Sequence, residues 1–541
     1  MRPAQRSWLA VAAALALLHL ALVAPNHPDA ATWSALRHSP IELPLLMALL
    51  LAVASWPASR RPARAIVTLL IVIAVLLKAA DLALFGVLAR PFNLAYDLPL
   101  LHAVWMLLAG SSGAVPAALY LAAAALALAL LAFAVWRATG VLLRHASEWP
   151  CAFSMLTAAI AVVTAAAWWT GTASPFSMRL VAGHASAAVR MMQEVAALEA
   201  EAAQDPVLAS VSGPLSGLAG TDLVLVFVES YGRSTLDNPL YAGTTSAALR
   251  DVERELGARG YAMRSAWLTS PTVGGQSWLA HGTLLSGLWI DGQGRYDALM
   301  RSQRKSLNRV AAEAGWRSVG VMPAIVMPWP EAAWFGYDKV LAAKDLGYRG
   351  KPFNWVTMPD QYTLSAFERL ELGSGRNRPV FAEIALISSH APWTPVPSLV
   401  PWEAVGDGTV FDAQTASGAT PEQVWADPNR VRDQFRRSID YALRTVGSFA
   451  ARQGGTKPLF VVLGDHQPAG FVSGSGTNRD VPIHLFGPPE AVARFDAWGW
   501  TDGLAPAKDA PVWRMDAFRA RFIEAVSPRT EPQPQSRVVR S

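Results

Sequence analysis

Long apolar runs constrain this chain most: those at 7–24, 41–57, 65–88, 114–136 and 151–171 all precede residue 172. A helix crosses the hydrocarbon core of a bilayer with about 20 consecutive apolar residues, so the pattern predicts five transmembrane helices within residues 1–172. The rest of the 541 residues has the mixed composition of a water-soluble domain. The chain therefore reads as a membrane region followed by a domain with its own core.

Arg2 and Arg6 before an Ala/Leu-rich run suit a cleaved signal peptide as well as an uncleaved anchor, and the four spans that follow favour the anchor. Segment 98–109 is too short to span and reads as interfacial or re-entrant. Arg2, Arg6, Arg60, Arg61, Arg64, Arg137 and Arg144 fall on one side of the spans, Arg37 and Arg90 on the other. The basic side is cytoplasmic. This puts the N-terminus in the cytoplasm and everything beyond residue 172 outside, which in a bacterium means a multi-pass inner-membrane protein with a periplasmic domain. The basic residues behind the net charge of +5 are scattered or flank spans, so nucleic acid is not the expected partner. With Cys151 as its only cysteine the chain forms no intramolecular disulfide. Lys78 and Asp81, one helical turn apart in the third span, are costly there unless mutual or functional, and read as an ion pair, as snorkelling to the interface or as a functional pair.

Residues 173–215 read as a linker whose run 176–204 forms an amphipathic helix on the membrane. Residues 216–526 form the outer domain, with an insertion at 402–430, and 527–541 read as a disordered tail. Within the outer domain β-rich runs at 222–230, 317–324, 379–389, 458–465 and 481–487 alternate with helical segments. That alternation predicts an α/β domain with a mostly parallel central sheet. Ligands gather beyond the carboxyl ends of such strands. Three runs end in polar chemistry there: Glu229-Ser230, Ser388-Ser389-His390 and Gly464-Asp465-His466-Gln467.

A carboxylate after a strand is often a cap or a solvated turn, and a lone histidine often packs. Together, a carboxylate from one strand end and an Asp-His pair from another supply the mixed oxygen and nitrogen donors of a divalent-metal site. Segment 270–287, SPTVGGQSWLAHGTLLSG, adds a hydroxyl. Gly274-Gly275 allow a tight turn, and Ser277 opens a helix whose amides can hold an anionic phosphate. Ser277 is either the attacking nucleophile or a helix cap. His281, one turn later, either reaches the same pocket or packs on the helix. Trp329, Trp334, Trp393 and Tyr337 either wall a headgroup site or fill the core. His484 ranks below His390, and 470–480 reads as a mobile loop over the site.

The order of these parts, from Glu-Ser after a strand through the Gly-rich turn with its hydroxyl and Ser-Ser-His-Ala-Pro-Trp to Gly-Asp-His, resembles the alkaline phosphatase/sulfatase superfamily over roughly 220–490. It is most similar to the membrane-anchored phosphoglycerol and phosphoethanolamine transferases, such as lipoteichoic acid synthase. The resemblance implies an alkaline-phosphatase-like fold and one divalent metal held by Glu229, Ser277, Asp465 and His466, with Ser277 also the nucleophile. It gives His390 the contact to the substrate phosphate or headgroup. One histidine among oxygens suits Mn²⁺ or Mg²⁺, Mn²⁺ first, while Zn²⁺ is usual in the phosphoethanolamine branch.

Two departures matter: those transferases usually carry Thr where Ser277 stands, and the disulfides common in the phosphoethanolamine branch are missing. The serine keeps the chemistry but leaves the subfamily open, and the missing disulfides move the expectation toward phosphoglycerol. Sulfatases of the formylglycine type need Pro two and Arg four positions after the nucleophile, where this chain has Leu279 and His281. The expected activity is transfer of a headgroup phosphate from a membrane phospholipid donor to a cell-envelope glycan or lipid acceptor through a Ser277 phospho-enzyme. A periplasmic phosphodiesterase or sulfatase-like hydrolase and a non-catalytic lipid-sensing scaffold are the alternatives.

Overall fold

The computed structural model describes residues 3–94, 97, 104, 105, 108, 109, 113–373, 375–454, 457–474 and 478–530. They form two compact units, Met1–Gly86 with Arg90–Met192, and Gln193–Ser541 with Val87–Ala89.

The first unit is helical: α1 (Pro3–Val23), α2 (Glu42–Ala54), α3 (Pro57–Leu88), α4 (Ala114–Glu148) and α5 (Pro150–Trp169). Then α6 (Phe176–Ala202) runs across the division between the units. Among the described residues three helices, α3, α4 and α5, are long and apolar enough to cross a membrane; the stretch Trp8–Val23 of α1 and the whole of α2 fall in the 10–17 residue range. Pro57 opens α3 and disfavours helix at the residue before it, which is why the second apolar run stops short. Most of segment 98–109 lies outside the described residues.

Lys78 and Asp81 are both buried in α3, yet among the described residues they do not pair with each other. Lys78 Nζ donates to the carbonyls of Ala21 (3.3 Å) and Leu22 (2.5 Å) at the end of α1, where a helix has orphan acceptors. Asp81 accepts from Asn26 Nδ2 at 3.0 Å and the Phe92 amide at 2.9 Å, with His184 Nε2 at 3.4 Å. Each charge is satisfied by other elements, so the predicted ion pair is replaced by two separate anchors.

The second unit is built on a nine-stranded mixed, mostly parallel sheet. Its strands in chain order are β1 (Leu223–Val228), β2 (Ala262–Thr269), β3 (Arg317–Met322), β4 (Lys339–Ala342) and β5 (Val380–Leu386). They continue with β6 (Leu459–Gly464), β7 (Asp480–Gly487), β8 (Thr501–Asp502) and β9 (Val512–Arg514). Spatially they run β8-β2-β7-β6-β1-β5-β3-β4, with β9 beside β2. The five apolar runs are all strands. VPIHLFG forms β7, antiparallel to both β2 and β6, and the four strands β2, β4, β8 and β9 carry no comparable apolar signal.

β1 is apolar at every position because both faces of the sheet are covered. Val224, Val226 and Val228 enter one core with Leu249 and Val252 of α7 (Pro239–Ala258) and with Phe435, Ile439 and Val446 of the long helix Pro428–Arg452. Leu223, Leu225 and Phe227 enter the other, against Leu279, Leu284 and Leu285 of α8 (Ser277–Ser286). Segment 402–430 folds into short helical turns. Of the expected disordered tail, residues 527–530 instead pair with the stretch before β1: Ser212 N donates to Pro528 O at 2.9 Å and Thr530 N to Ser210 O at 3.0 Å. Residues 531–541, like 475–477 of the expected mobile loop, lie outside the described residues.

Candidate active site

Register assembles the site. Parallel pairing sets Val228 of β1 opposite Leu386 of β5 and Gly464 of β6, so the residues that follow leave the sheet side by side. The turn after β1 is locked to both neighbours. Asp465 Oδ1 accepts from the Ser230 amide (2.8 Å) and its neighbouring His466 amide (2.7 Å), and Ser389 Oγ donates to Glu229 O at 2.6 Å. Gly464 is needed here, since a Cβ at that position would lie 1.8 Å from the Tyr231 carbonyl oxygen.

The hydroxyl arrives from the other side. Gly274, Gly275 and Gln276 all have positive φ (73°, 147° and 62°), a turn that feeds directly into α8 with Ser277 as its first helical residue. Gln276, not Ser277, occupies the capping position, so the two readings of Ser277 separate. Its Oγ lies 3.2 Å from Glu229 Oε2, to which it donates, and 3.2 Å from His466 Nε2. His466 Nδ1 is 2.9 Å from the carbonyl of Gln467, which fixes the proton on Nδ1 and leaves the Nε2 lone pair inside the cluster. That nitrogen faces Glu229 Oε1 at 3.4 Å and Asp465 Oδ2 at 3.6 Å.

All three side chains are buried, and one donor atom from each lies within 4.8 Å of the others. A lone pair and two carboxylates at this separation repel one another unless a cation or protons sit among them. The titration behaviour carries the same strain. Burial and then the charge of Glu229 push Asp465 up to about 6. Burial alone would raise Glu229, but His466, His390 and the Ser230 hydroxyl bring it below the ordinary carboxylate range. Burial would lower His466, and the charges of Asp465 and Glu229 raise it instead. Oxygen donors with one imidazole, the latter oriented by a backbone carbonyl, fit a divalent cation.

The other predicted residues distribute unequally. His390 follows β5, with Nδ1 held by Ala391 O at 2.6 Å and its ring stacked on Trp355 at 4.0 Å, and its charge acts on Glu229. Trp393 is buried, its indole N–H donating to Ser389 O at 2.6 Å, so it braces the loop that carries His390. Trp334 does not wall a headgroup site: it is buried in the core against Phe335, where an indole contributes more by packing than by exposure. His281 Nδ1 lies 2.7 Å from Glu383 Oε1, and its ring stacks on Phe227 at 3.7 Å. His484 lies within β7 between Tyr231 OH (3.1 Å) and Ser265 Oγ (3.0 Å), and burial pushes it down to about 3, so it stays neutral and structural.

Sequence reasoning missed three residues. Glu383, a carboxylate inside the doubly covered strand β5, accepts from Asn308 Nδ2 and Tyr337 OH, each at 2.7 Å, besides meeting His281. Its signal was one acid inside the apolar run PVFAEIALISS. Trp355 left no signal, because it reaches His390 from a distant loop. Asp360 Oδ1 accepts from the amides of Ile387 (3.0 Å) and Ser388 (2.9 Å), shaping the turn that ends in His390, while its Oδ2 has no partner.

Burial pushes Asp360 up to about 6, against hydrogen bonds from Ser388 and Ile387 that pull the other way, with Glu229 adding to the rise. The folded state therefore binds this proton more tightly than the unfolded chain. The resulting stability is present at low pH and lost as pH rises through about 6, a loss of about 3 kcal/mol. Asp360→Asn keeps the Oδ1 acceptor and carries no charge. It is expected to raise stability at pH 8 by about 2 kcal/mol over the parent and to flatten this part of the pH dependence, read by thermal unfolding at pH 5 and 8. A variant with the parent's pH slope would show that Asp360 is not its source.

No family model and no curated protein matches the chain. Among solved structures it is similar to the lipoteichoic acid synthase LtaP from Listeria monocytogenes, at 13% identity and a TM-score of 0.40, covering 60% of this chain and 77% of that one. It is also similar to a protein in the alkaline phosphatase superfamily from Vibrio parahaemolyticus (15% identity, TM-score 0.39, 63% and 76% covered). A third is the phosphoglycerol transferase GacH from Streptococcus pyogenes, solved with sn-glycerol-1-phosphate (13% identity, TM-score 0.38, 63% and 81% covered).

Proposed function

We propose that this protein is a metal-dependent phosphotransferase that moves a headgroup phosphate, phosphoglycerol ahead of phosphoethanolamine, from a membrane phospholipid to a cell-envelope glycan or lipid. The observation that carries this reading is the Ser277 hydroxyl at the first residue of α8, 3.2 Å from both Glu229 Oε2 and His466 Nε2. A divalent ion held by Glu229, Ser277, Asp465 and His466, Mn²⁺ ahead of Mg²⁺ or Zn²⁺, would supply Lewis-acid polarisation of the phosphoryl oxygens.

The residues divide the remaining work. Ser277 Oγ forms a bond to phosphorus as the bond from phosphorus to the diacylglycerol oxygen breaks. The serine proton has Glu229 Oε2 as its acceptor, and the departing alkoxide, in line on the far side of phosphorus, takes a proton from solvent, so diacylglycerol leaves as the neutral alcohol. The amides of Ser277 and Trp278, which open α8, would hold the anionic group, while the Leu279 amide is already bonded to Gln276 O at 2.9 Å. His390, held through Nδ1 and by Trp355, has Nε2 left to contact the phosphate or headgroup. In the second half an acceptor hydroxyl attacks the phosphoserine and returns the proton to Ser277.

A lipid donor also explains the anchor, since diacylglycerol stays in the bilayer on release. The proposal includes five crossings, a cytoplasmic N-terminus and a periplasmic catalytic domain. The test incubates the full-length protein with headgroup-labelled phosphatidylglycerol or phosphatidylethanolamine, Mn²⁺ and an envelope glycan fraction. Diacylglycerol release with label on glycan or lipid is the expected result. Label found only in free headgroup phosphate would replace transfer by hydrolysis, and no diacylglycerol with either lipid would end the reading.

A further inference from the structure

Large apolar side chains are exposed in two groups at the carboxyl edge of the sheet, the edge that carries the site. The first follows β3, where Val326 and Met327 are 70% and 66% exposed. They lie in the stretch 318–330, which has no charged residue. The second follows β6, where Phe471, 40% exposed, sits on the short helix Gly470–Ser473 with its ring 5.8 Å from that of Trp425, 38% exposed. The Trp425 indole N–H donates to Pro392 O at 3.2 Å, which ties this pair to the loop carrying His390. Beside them Arg432 donates to the Phe471 carbonyl through Nε (3.1 Å) and Nη2 (2.9 Å), with no salt-bridge partner among the described residues.

Aliphatic tips, an aromatic pair and a guanidinium without a counter-ion match the depth profile of an anionic lipid surface, where tails meet the first, ring edges the second and phosphates the third. Soluble surfaces seldom gather such groups on one edge. We propose that this edge of the catalytic unit rests on an anionic phospholipid surface, with Val326 and Met327 against the upper acyl chains, Trp425 and Phe471 at headgroup depth and Arg432 facing a lipid phosphate. The proposal rests on the reading that the donor is a lipid, because a lipid whose tails stay in the membrane presents its headgroup only to an edge that reaches the interface. Leu370 is an internal contrast. It is equally apolar and 40% exposed, but it precedes Glu371, which binds Arg317 at the start of β3 on the opposite edge.

The single cysteine makes the test direct. In the full chain carrying Cys151→Ala, cysteines placed by Met327→Cys, Phe471→Cys or Leu370→Cys receive an environment-sensitive fluorophore, and each protein is reconstituted in phosphatidylglycerol nanodiscs with or without doxyl-labelled lipid. The expected result is at least about twofold quenching at 327 and 471 and almost none at 370. Equal quenching at all three sites, or none at 327 and 471, overturns the proposal. Because this readout uses no turnover, quenching in a protein that releases no diacylglycerol would sink the transferase reading and leave the surface standing. In the active protein, Met327→Asp with Arg432→Gln is expected to raise KM for vesicle-borne phosphatidylglycerol about tenfold and to leave kcat/KM for a short-chain, monomeric phosphatidylglycerol unchanged. Equal losses on both substrates would overturn the proposal as well.

Discussion

Ser277→Ala is expected to lower diacylglycerol release by about 10³- to 10⁵-fold and to abolish any phosphoserine trapped on acid quenching. The size follows from what the substitution removes, which is the attacking atom itself. The fold has little reason to respond. Ser277 is not the cap of α8, and its contacts are to side chains of the cluster, so the loss in thermal stability should stay within about 1 kcal/mol. Ser277→Thr is the informative partner, since it keeps the hydroxyl and adds one methyl group. It should retain activity within about tenfold of the parent if the pocket tolerates that methyl. Diacylglycerol release by Ser277→Ala at the parent's rate would move the nucleophile elsewhere or replace the phospho-enzyme by direct attack of water or acceptor.

The parts of this site that sequence made legible are those where register does the assembling. Glu229 and Asp465 each follow directly on a strand apolar at every position, a pattern that both marks a doubly covered parallel strand and locates its carboxyl end. Two adjacent parallel strands must then present those residues together. Ser277 was ambiguous for a physical reason, since the first residue of a helix and its cap differ by one position and only the φ of Gln276 separates them. Long-range tertiary contacts were out of reach. Trp334 and Trp393 looked alike as aromatics near strand ends, but one fills the core and the other braces a backbone carbonyl. Lys78 and Asp81 are one turn apart in sequence, and their partners, in the α1 terminus and in Asn26, Phe92 and His184, come from segments that no local pattern connects to them.

Asp465→Asn should cost the protein its metal while leaving its scaffold in place, and that combination separates a metal centre from a buried polar network. Asp465 Oδ1 receives the amides of Ser230 and His466, two bonds that an asparagine carbonyl can accept equally well. Oδ2, on the His466 Nε2 side at 3.6 Å, becomes an amide nitrogen with no lone pair to offer. Affinity for Mn²⁺ should fall by more than about 100-fold, the upper end of what the loss of an outer-sphere partner costs, and metal content after gel filtration should fall below stoichiometric. The parent protein should gain about 2.7 kcal/mol of stability when Mn²⁺ is raised to 100 times its Kd, and the variant almost nothing over the same range. Asp360→Asn, which changes a buried carboxyl that is not one of the cluster's three donors, should keep both the metal and the gain. Stoichiometric metal retained by Asp465→Asn, or an Mn²⁺-dependent gain in stability equal to the parent's, would mean that Glu229, Asp465 and His466 are held together by protons and hydrogen bonds alone.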